Sequence, residues 1–265
     1  MIFSTHPTGE NDVGEEDGMD RPPGTLFIVA TPIGHLDDLT FRARDVLASV
    51  DLIACEDTRR TGLLLKKYGL KKRLMSYFQP RESQKIPQII QHLRSGGDVA
   101  LVSDAGTPGL SDPGYPLIHR AVEEGITVIP VPGPCAAVAA LSASGLPTDR
   151  FLFVGFPAPK KTALLKQLRA LDKEKATLIF YLPPRKIESF LTCLHQIFPG
   201  RRVVIARELT KIHEEFLRGT AEELLGKMHP AHLKGEATVL VEGKRRKSDR
   251  EGLWFCRPGK DQGRA

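Results

Sequence analysis

The segment Ser103-Asp104-Ala105-Gly106-Thr107-Pro108-Gly109-Leu110-Ser111-Asp112-Pro113-Gly114 gathers three glycines, two prolines and two aspartates directly after the apolar run Val99–Val102. A polar loop at the C-terminal end of a buried strand occupies the place where open α/β sheets bind ligands. Glycine lets backbone approach a ligand closely, and proline keeps the loop rigid. The pattern is neither a dinucleotide G-x-G-x-x-G nor a phosphate loop with its lysine. A plain connecting turn is the alternative, but connections usually run about 4–6 residues, and this length favours a binding loop. Two more loops share the composition: Pro130-Val131-Pro132-Gly133-Pro134 before the small-residue segment Cys135–Gly145, and Ala30-Thr31-Pro32-Ile33-Gly34 after the apolar run at Leu26. Proline is pre-organised for the first position of a helix, and Ala and Ser let backbone or ligand come close. Close helix packing on a sheet explains the same small residues.

Two ionisable clusters accompany these loops. In Cys55-Glu56-Asp57-Thr58-Arg59-Arg60-Thr61, Asp57 or Thr58 can cap the following helix. Arg59 and Arg60 on its first turn can also grip phosphate or order a ribose, because guanidinium contacts to phosphate are bidentate. Arg207-Glu208-Leu209-Thr210-Lys211-Ile212-His213-Glu214-Glu215 follows another strand-like run. Glu208, Lys211 and His213 are suited to taking a proton or stabilising an anion, and a solvated charged loop is the competing reading. The scattered remaining histidines have no partner pattern.

The elements that must carry these groups follow from hydropathy. Leu26–Ala30, Leu52–Cys55, Val99–Ser103 and Thr127–Val131 are short apolar runs, the mark of parallel strands buried on both faces. Phe41–Val50, Thr61–Tyr68, Pro87–Arg94 and Pro116–Glu124 suit amphipathic helices. A second series has strands at Phe151–Val154, Thr177–Leu182, Val203–Arg207 and Thr238–Glu242, a short edge strand at Phe216–Arg218, and helices at Lys161–Leu171, Ile187–Ile197 and Ala221–Met228. The expected organisation is an acidic leader over 1–22, an α/β domain over 23–146, a second, unlike α/β domain over 147–243, and a basic tail over 244–265. Within that tail Leu253-Trp254-Phe255 can dock locally.

Composition limits the partners. The longest uninterrupted apolar run, Cys135–Leu141, is far short of the about 20 residues that span a bilayer, so no membrane role is expected. The four cysteines form no C-x-x-C pair, which argues against a zinc site or disulfide framework and for a reducing, cytoplasmic setting. The net charge of +6 conceals a segregation: Glu10, Asp12, Glu15, Glu16, Asp17 and Asp20 stand in a leader free of Lys and Arg, so the remainder is strongly basic. A basic body suits a polyanion, with nucleic acid the commonest.

The ordered motifs T-P-I-G-x-L-x-D-x-T-x-R-A, C-E-D-T-R-x-T, S-D-A-G-T-P-x-x-S-D-P-G, P-G-P and S-G-L-P-T-D-R-F-x-F-x-G-F closely resemble the tetrapyrrole-methylase family. Within it, the match is to the enzymes that methylate a cytidine 2′-hydroxyl of 16S, small-subunit, ribosomal RNA. The resemblance runs from Gly24 to Gly243. It implies a class III methyltransferase fold, S-adenosyl-L-methionine held without metal in a cleft between the two domains, and a homodimer acting on rRNA or an assembled small subunit. Carried onto this chain, cofactor contacts fall on Asp104, Ala105, Gly106, Thr107, Pro108, Ser111, Pro132 and Gly133, with Pro32 and Gly34 at the floor. Leu182, Ala206 and Arg207 supply them from the second domain. The same resemblance tips Glu56, Asp57, Arg59 and Arg60 toward substrate binding. For the reaction it implies, Glu208, Lys211 or His213 is chemically suited to help the weakly acidic ribose proton to leave.

The chain departs from the family pattern at Tyr77-Phe78-Gln79-Pro80-Arg81-Glu82, where relatives carry Tyr-His-Glu-His-Asn-Glu, and at Leu182-Pro183-Pro184-Arg185, where they carry Glu-Ser-Pro-His-Arg. Two other functions stay open: methylation of a small acceptor such as a tetrapyrrole, and a catalytically impaired ribosome-binding homologue.

Overall fold

The computed structural model describes residues 22–229, 232 and 234–244. The acidic leader, apart from Pro22, and the tail beyond Lys244 with Leu253-Trp254-Phe255 lie outside the described residues. Two five-stranded sheets form the body, the two unlike α/β units that the hydropathy pattern implies. The first contains β1 (Leu26–Val29), β2 (Leu52–Cys55), β3 (Arg73–Ser76), β4 (Val99–Val102) and β5 (Val128–Val131) in the order β3-β2-β4-β1-β5. Every pairing in it is parallel. Side chains alternate along each strand. Leu52, Ala54, Val99 and Leu101 therefore meet α3 (Glu82–Arg94) and α4 (Tyr115–Glu123) on one face. Ile53, Cys55, Ala100 and Val102 meet α1 (Phe41–Ser49) and α2 (Thr58–Lys67) on the other.

The second sheet contains β6 (Phe151–Gly155), β7 (Thr177–Leu182), β8 (Arg202–Arg207), β9 (Glu215–Thr220) and β10 (Ala237–Val241), ordered β6-β7-β10-β8-β9. β6 and β7 run parallel, while β10 is antiparallel to both β7 and β8. The ends of β6, β7 and β8 and the beginning of β10 thus share one edge, where Ala237 pairs with both Leu182 and Arg207. α6 (Lys161–Ala170), α7 (Ile187–Ile197) and α8 (Ala221–Gly226) cover one face of this sheet.

The other face is covered by α5 (Ala136–Ser144), which follows β5 of the first sheet. Its Ala137, Ala140 and Leu141 pack against Ile179, Val204, Ala206 and Leu240. Both ends of α5 are held by the second sheet. Its N-terminal Ala137 N–H donates to the Tyr181 hydroxyl at 3.2 Å, and its last carbonyls, Ala143 and Ser144, accept from Arg218 at 2.7 and 3.2 Å. Those are the backbone groups that a helix leaves unsatisfied at its ends.

Element boundaries differ from the sequence reading in a few places. α2 begins at Thr58 because the Asp57 side chain accepts the Arg59 N–H at 2.8 Å and so starts the helix three residues early. α3 begins at Glu82 and carries Pro87 inside it, where the proline was expected to open the helix. β9 is six residues long, not three, and α8 ends at Gly226, before Met228. Among the described residues no helix is long and apolar enough to cross a membrane.

Ala140 is fully buried under the second sheet. Ala140→Leu forces extra volume into that contact and is expected to cost about 1–3 kcal/mol, read as a lower denaturation midpoint. An unchanged midpoint contradicts the tight seating of α5.

Candidate active site

A cavity of about 610 Å³ lies between the loop-bearing edges of the two sheets. On the first sheet, the three Pro/Gly loops are laced to one another. Thr31 and Gly106 exchange two backbone hydrogen bonds at 2.9 and 3.0 Å, Thr31 Oγ1 donates to the Ser103 carbonyl, and Thr107 Oγ1 donates to the Pro134 carbonyl at 3.1 Å. Gly106 has φ +86°, a left-handed conformation that glycine adopts without penalty. Asp104 binds the start of α2 to this assembly. Its Oδ1 accepts from the Asp57 N–H and its Oδ2 from Arg60, both at 3.0 Å. The far end of the loop is fixed by Glu82 of α3, whose carboxylate accepts the Gly114 N–H at 3.0 Å.

The second-sheet wall is held by an ion-pair network. Lys211 Nζ lies 3.0 Å from both Glu208 and Glu236, and Glu208 also accepts the Glu236 N–H at 2.8 Å. Glu208 and Thr210 have φ of +48° and +64°, conformations uncommon for residues other than glycine. The strained turn reaches across to the first sheet, where the His35 N–H donates to Thr210 Oγ1 at 2.9 Å. Burial works to raise the Glu208 carboxyl, but the Glu236 N–H and Lys211 outweigh it and hold the group below the usual range. Burial likewise opposes the Lys211 charge, yet its two carboxylate partners raise it overall.

Asp104, Ala105, Gly106 and Thr107 line the cavity, joined from the second sheet by Leu182 and Ala206. Pro32, Gly34, Pro108, Ser111, Pro132, Gly133 and Arg207 lie outside that lining. Gly34 serves the approach of the two halves, since a Cβ there would fall 2.6 Å from Thr210 Oγ1 and 2.8 Å from the Leu209 carbonyl oxygen. Gly133 abuts Ala30 among the first sheet's own loops, where a Cβ would fall 3.0 Å from the Ala30 Cβ, and Ser111, at φ +65°, packs against Gly155. Arg207 is buried and pairs with Glu215 at 3.0 Å.

Glu56 and Arg60 line the cavity, whereas Asp57 caps α2 and Arg59 extends into solvent at the start of that helix. Glu208 and Lys211 stand one layer behind the wall, joined to it through Glu236, and His213 is exposed.

Several lining residues were given no role by the sequence, although Phe156 closes the S-G-L-P-T-D-R-F-x-F-x-G-F motif. Phe156, Tyr181 and the run Gly235–Thr238 reach the cavity through strand order and register. Asp112 was visible within the long loop but not distinguishable there. The lining is acidic: Glu56, Asp104, Asp112 and Glu236 stand against Arg60 and Arg185, in a chain of net charge +6. Burial, reinforced by Asp104 and opposed by a Ser103 hydrogen bond, pushes the Asp112 carboxyl up to about 6. Burial and the nearby Asp104 and Asp112 also raise Glu56. Cys55, behind the wall, is pushed up to about 11, mainly by burial, which leaves it an unreactive thiol.

The profile of the Tetrapyrrole (Corrin/Porphyrin) Methylases family matches residues 25–225. Among curated proteins, the chain is 47% identical over 232 residues to the ribosomal RNA small subunit methyltransferase I of Halalkalibacterium halodurans, covering 88% of this chain and 80% of that protein. It is 46% identical to the protein of the same name from Escherichia coli O157:H7, with 86% and 81% covered. Among solved structures, a cobalt precorrin-4 methyltransferase of cobalamin biosynthesis superposes with a TM-score of 0.62 at 19% identity, covering 82% of this chain and 94% of that one. That last likeness speaks for the fold alone.

Asp112 gives a test of the cavity's electrostatics in the protein without ligand. Its folded-state pKa of about 6 lies above the ordinary 3.8, so the native state holds the extra proton between those values. The contribution of this group is therefore unfavourable to stability as pH rises from about 4 to about 6, and constant beyond. Asp112→Asn is expected to gain stability relative to the parent at pH 7 and not at pH 4, measured by unfolding midpoints. The same difference at both pH values contradicts the assignment.

Proposed function

Because the chain belongs to the tetrapyrrole methylase family and, within it, to the ribosomal RNA small subunit methyltransferase I group, we propose that it transfers a methyl group from S-adenosyl-L-methionine to a cytidine 2′-hydroxyl of 16S rRNA. The observation that carries this reading is identity of about 45% sustained across most of both chains. We further propose a cytoplasmic homodimer built from a first domain over 23–146 and a second over 147–243.

The cavity fits the cofactor. S-adenosylmethionine carries a net positive charge through its sulfonium, and the carboxylates of Glu56, Asp104, Asp112 and Glu236 favour a cation. Ile33, Ala136 and Leu209 offer apolar surface for a flat ring, and the backbone around Gly106 admits close approach. When bound, the cofactor supplies an electrophilic methyl. The protein's task is then to bring a ribose oxygen in line with that methyl, exclude water and let the hydroxyl proton depart.

Pro32, Gly34, Pro108, Ser111, Pro132, Gly133 and Arg207 support this site from behind in the proposed arrangement, and Leu182 and Ala206 face it directly. Arg59 and Arg60 meet the RNA from the first domain, next to Glu56 and Asp57. Glu208, Lys211 and His213 are the proposed proton-handling group. Within it, Lys211 acts through its partner Glu236, which stands on the cavity wall and whose carboxylate the ammonium orients toward the reacting hydroxyl in the proposed arrangement.

Incubation with labelled S-adenosylmethionine and small ribosomal subunits from cells lacking the protein is expected to place label on a ribose of 16S rRNA. Gly106→Val should abolish both transfer and cofactor binding by calorimetry, because valine does not adopt the φ of +86°. Lys211→Met should lose about 10²–10⁴ in single-turnover rate at unchanged cofactor affinity. Label on a base, or no transfer by the parent protein, overturns the reading.

A further inference from the structure

β6 and β7 are parallel neighbours, so the loops at their C-terminal ends leave one sheet edge side by side. The two loops have matching chemistry. Phe156-Pro157-Ala158-Pro159-Lys160-Lys161 and Leu182-Pro183-Pro184-Arg185-Lys186 each run from a large apolar residue through two prolines to two adjacent cations. Lys160, Lys161, Arg185 and Lys186 are all exposed, and none joins an ion pair among the described residues. Proline on both loops limits the entropy lost when such a surface is ordered by a partner.

Phe156 lines the cavity and yet is 58% exposed. Its ring is buttressed from one side. It packs edge-on against Tyr181 with centroids 5.9 Å apart, Tyr181 packs edge-on against Phe153 at 4.9 Å, and the Tyr181 hydroxyl accepts the Ala137 N–H. A positioned aromatic ring with a free surface, sharing the cavity lining with Arg185 and standing on one of two neighbouring loops that end in exposed cations, is a combination suited to single-stranded nucleic acid: the base stacks and the cations take the phosphates. The acidic interior sharpens the arrangement, because Glu56, Asp104 and Asp112 repel a phosphate that enters the cavity while the rim attracts it.

We propose that Phe156 is the stacking platform for a base of the RNA substrate at the cleft rim, with the four flanking cations holding the adjoining phosphates. The proposal rests on the ribosomal RNA reading above and adds a residue that determines how the substrate is placed.

The experiment compares Phe156→Trp, Phe156→Leu and Phe156→Ala with the parent protein, using purified small ribosomal subunits from cells lacking the protein. Phe156→Trp is made in a Trp254→Phe background, since Trp254 is the chain's single tryptophan. Loss of one stacked base lowers affinity by about 10- to 100-fold. Phe156→Leu and Phe156→Ala are therefore expected to raise KM for the subunit by that factor, with cofactor affinity unchanged. Phe156→Trp should keep a KM near the parent's, and its fluorescence should be quenched when subunits are added. A parent-like KM for Phe156→Leu overturns the proposal. So does a loss of cofactor affinity, which assigns Phe156 to the methyl donor, or a changed sedimentation mass, which assigns it to a second copy of the chain. If the parent protein itself transfers no methyl to the subunit, the underlying RNA reading has failed, and that result is distinct from failure of the Phe156 variants alone.

Discussion

The gripping of α5 by a sheet other than the one it follows is the constraint on which the site depends. The chain leaves β5 of the first sheet through Pro132-Gly133-Pro134 and enters a helix of Ala, Ser, Val and Leu that packs on the second sheet. Tyr181 holds its first turn and Arg218 its last carbonyls. Because Ala137 and Ala140 have little side chain, the helix lies close against β7, β8 and β10, and the two strand edges face each other across a cleft. The turn at Glu208–Lys211 closes one side of that cleft by reaching Gly34 and His35. Backbone strain at Glu208 and Thr210 is tolerated because several hydrogen bonds fix it: the Glu208 carboxylate to Glu236 and Lys211, the Thr210 N–H to Glu214, and the Thr210 hydroxyl to His35.

Charge divides the protein into two regions with opposite tasks. Carboxylates gather inside the cavity, as the proposed cationic methyl donor requires, and Arg185 on its lining and the exposed Lys160, Lys161 and Lys186 of the adjoining loops are the cations offered to the proposed RNA. Burial keeps Asp112 and Glu56 less acidic than ordinary carboxylates, so the interior's negative charge responds to pH and to the charge of what it holds. Arg60 links the two regions, pairing with Asp104 while lining the cavity.

Much of this was legible in the sequence. Leu52-Ile53-Ala54-Cys55 and Val99-Ala100-Leu101-Val102 are apolar without interruption because helices cover both faces of the strands they form, and such runs announce a parallel sheet. The Pro/Gly loops followed from their position after those strands. The hydropathy of β9 marks only its middle because Glu215, Gly219 and Thr220 are polar or small, and they are tolerated in the strand because it is the edge of its sheet. The start of α3 was hidden by Pro87, a residue that more often begins a helix than stands within one. The second-sheet wall was largely invisible. Ala237 reaches the cavity because it pairs with Leu182 on one side and Arg207 on the other, and no local pattern encodes such long-range register. The burial that distinguishes Asp112 from the other loop carboxylates also exists only once the sheets have met.

In the function proposed above, the methyl donor lies between both strand edges at once. Backbone hydrogen exchange with and without S-adenosylmethionine, in the absence of RNA, tests it most directly. Slower exchange is expected on addition of the cofactor both at Asp104–Asp112 on the first sheet and at Tyr181–Leu182 and Glu236–Thr238 on the second. Protection confined to the first sheet's loops, with the second-sheet segments unchanged, would contradict it.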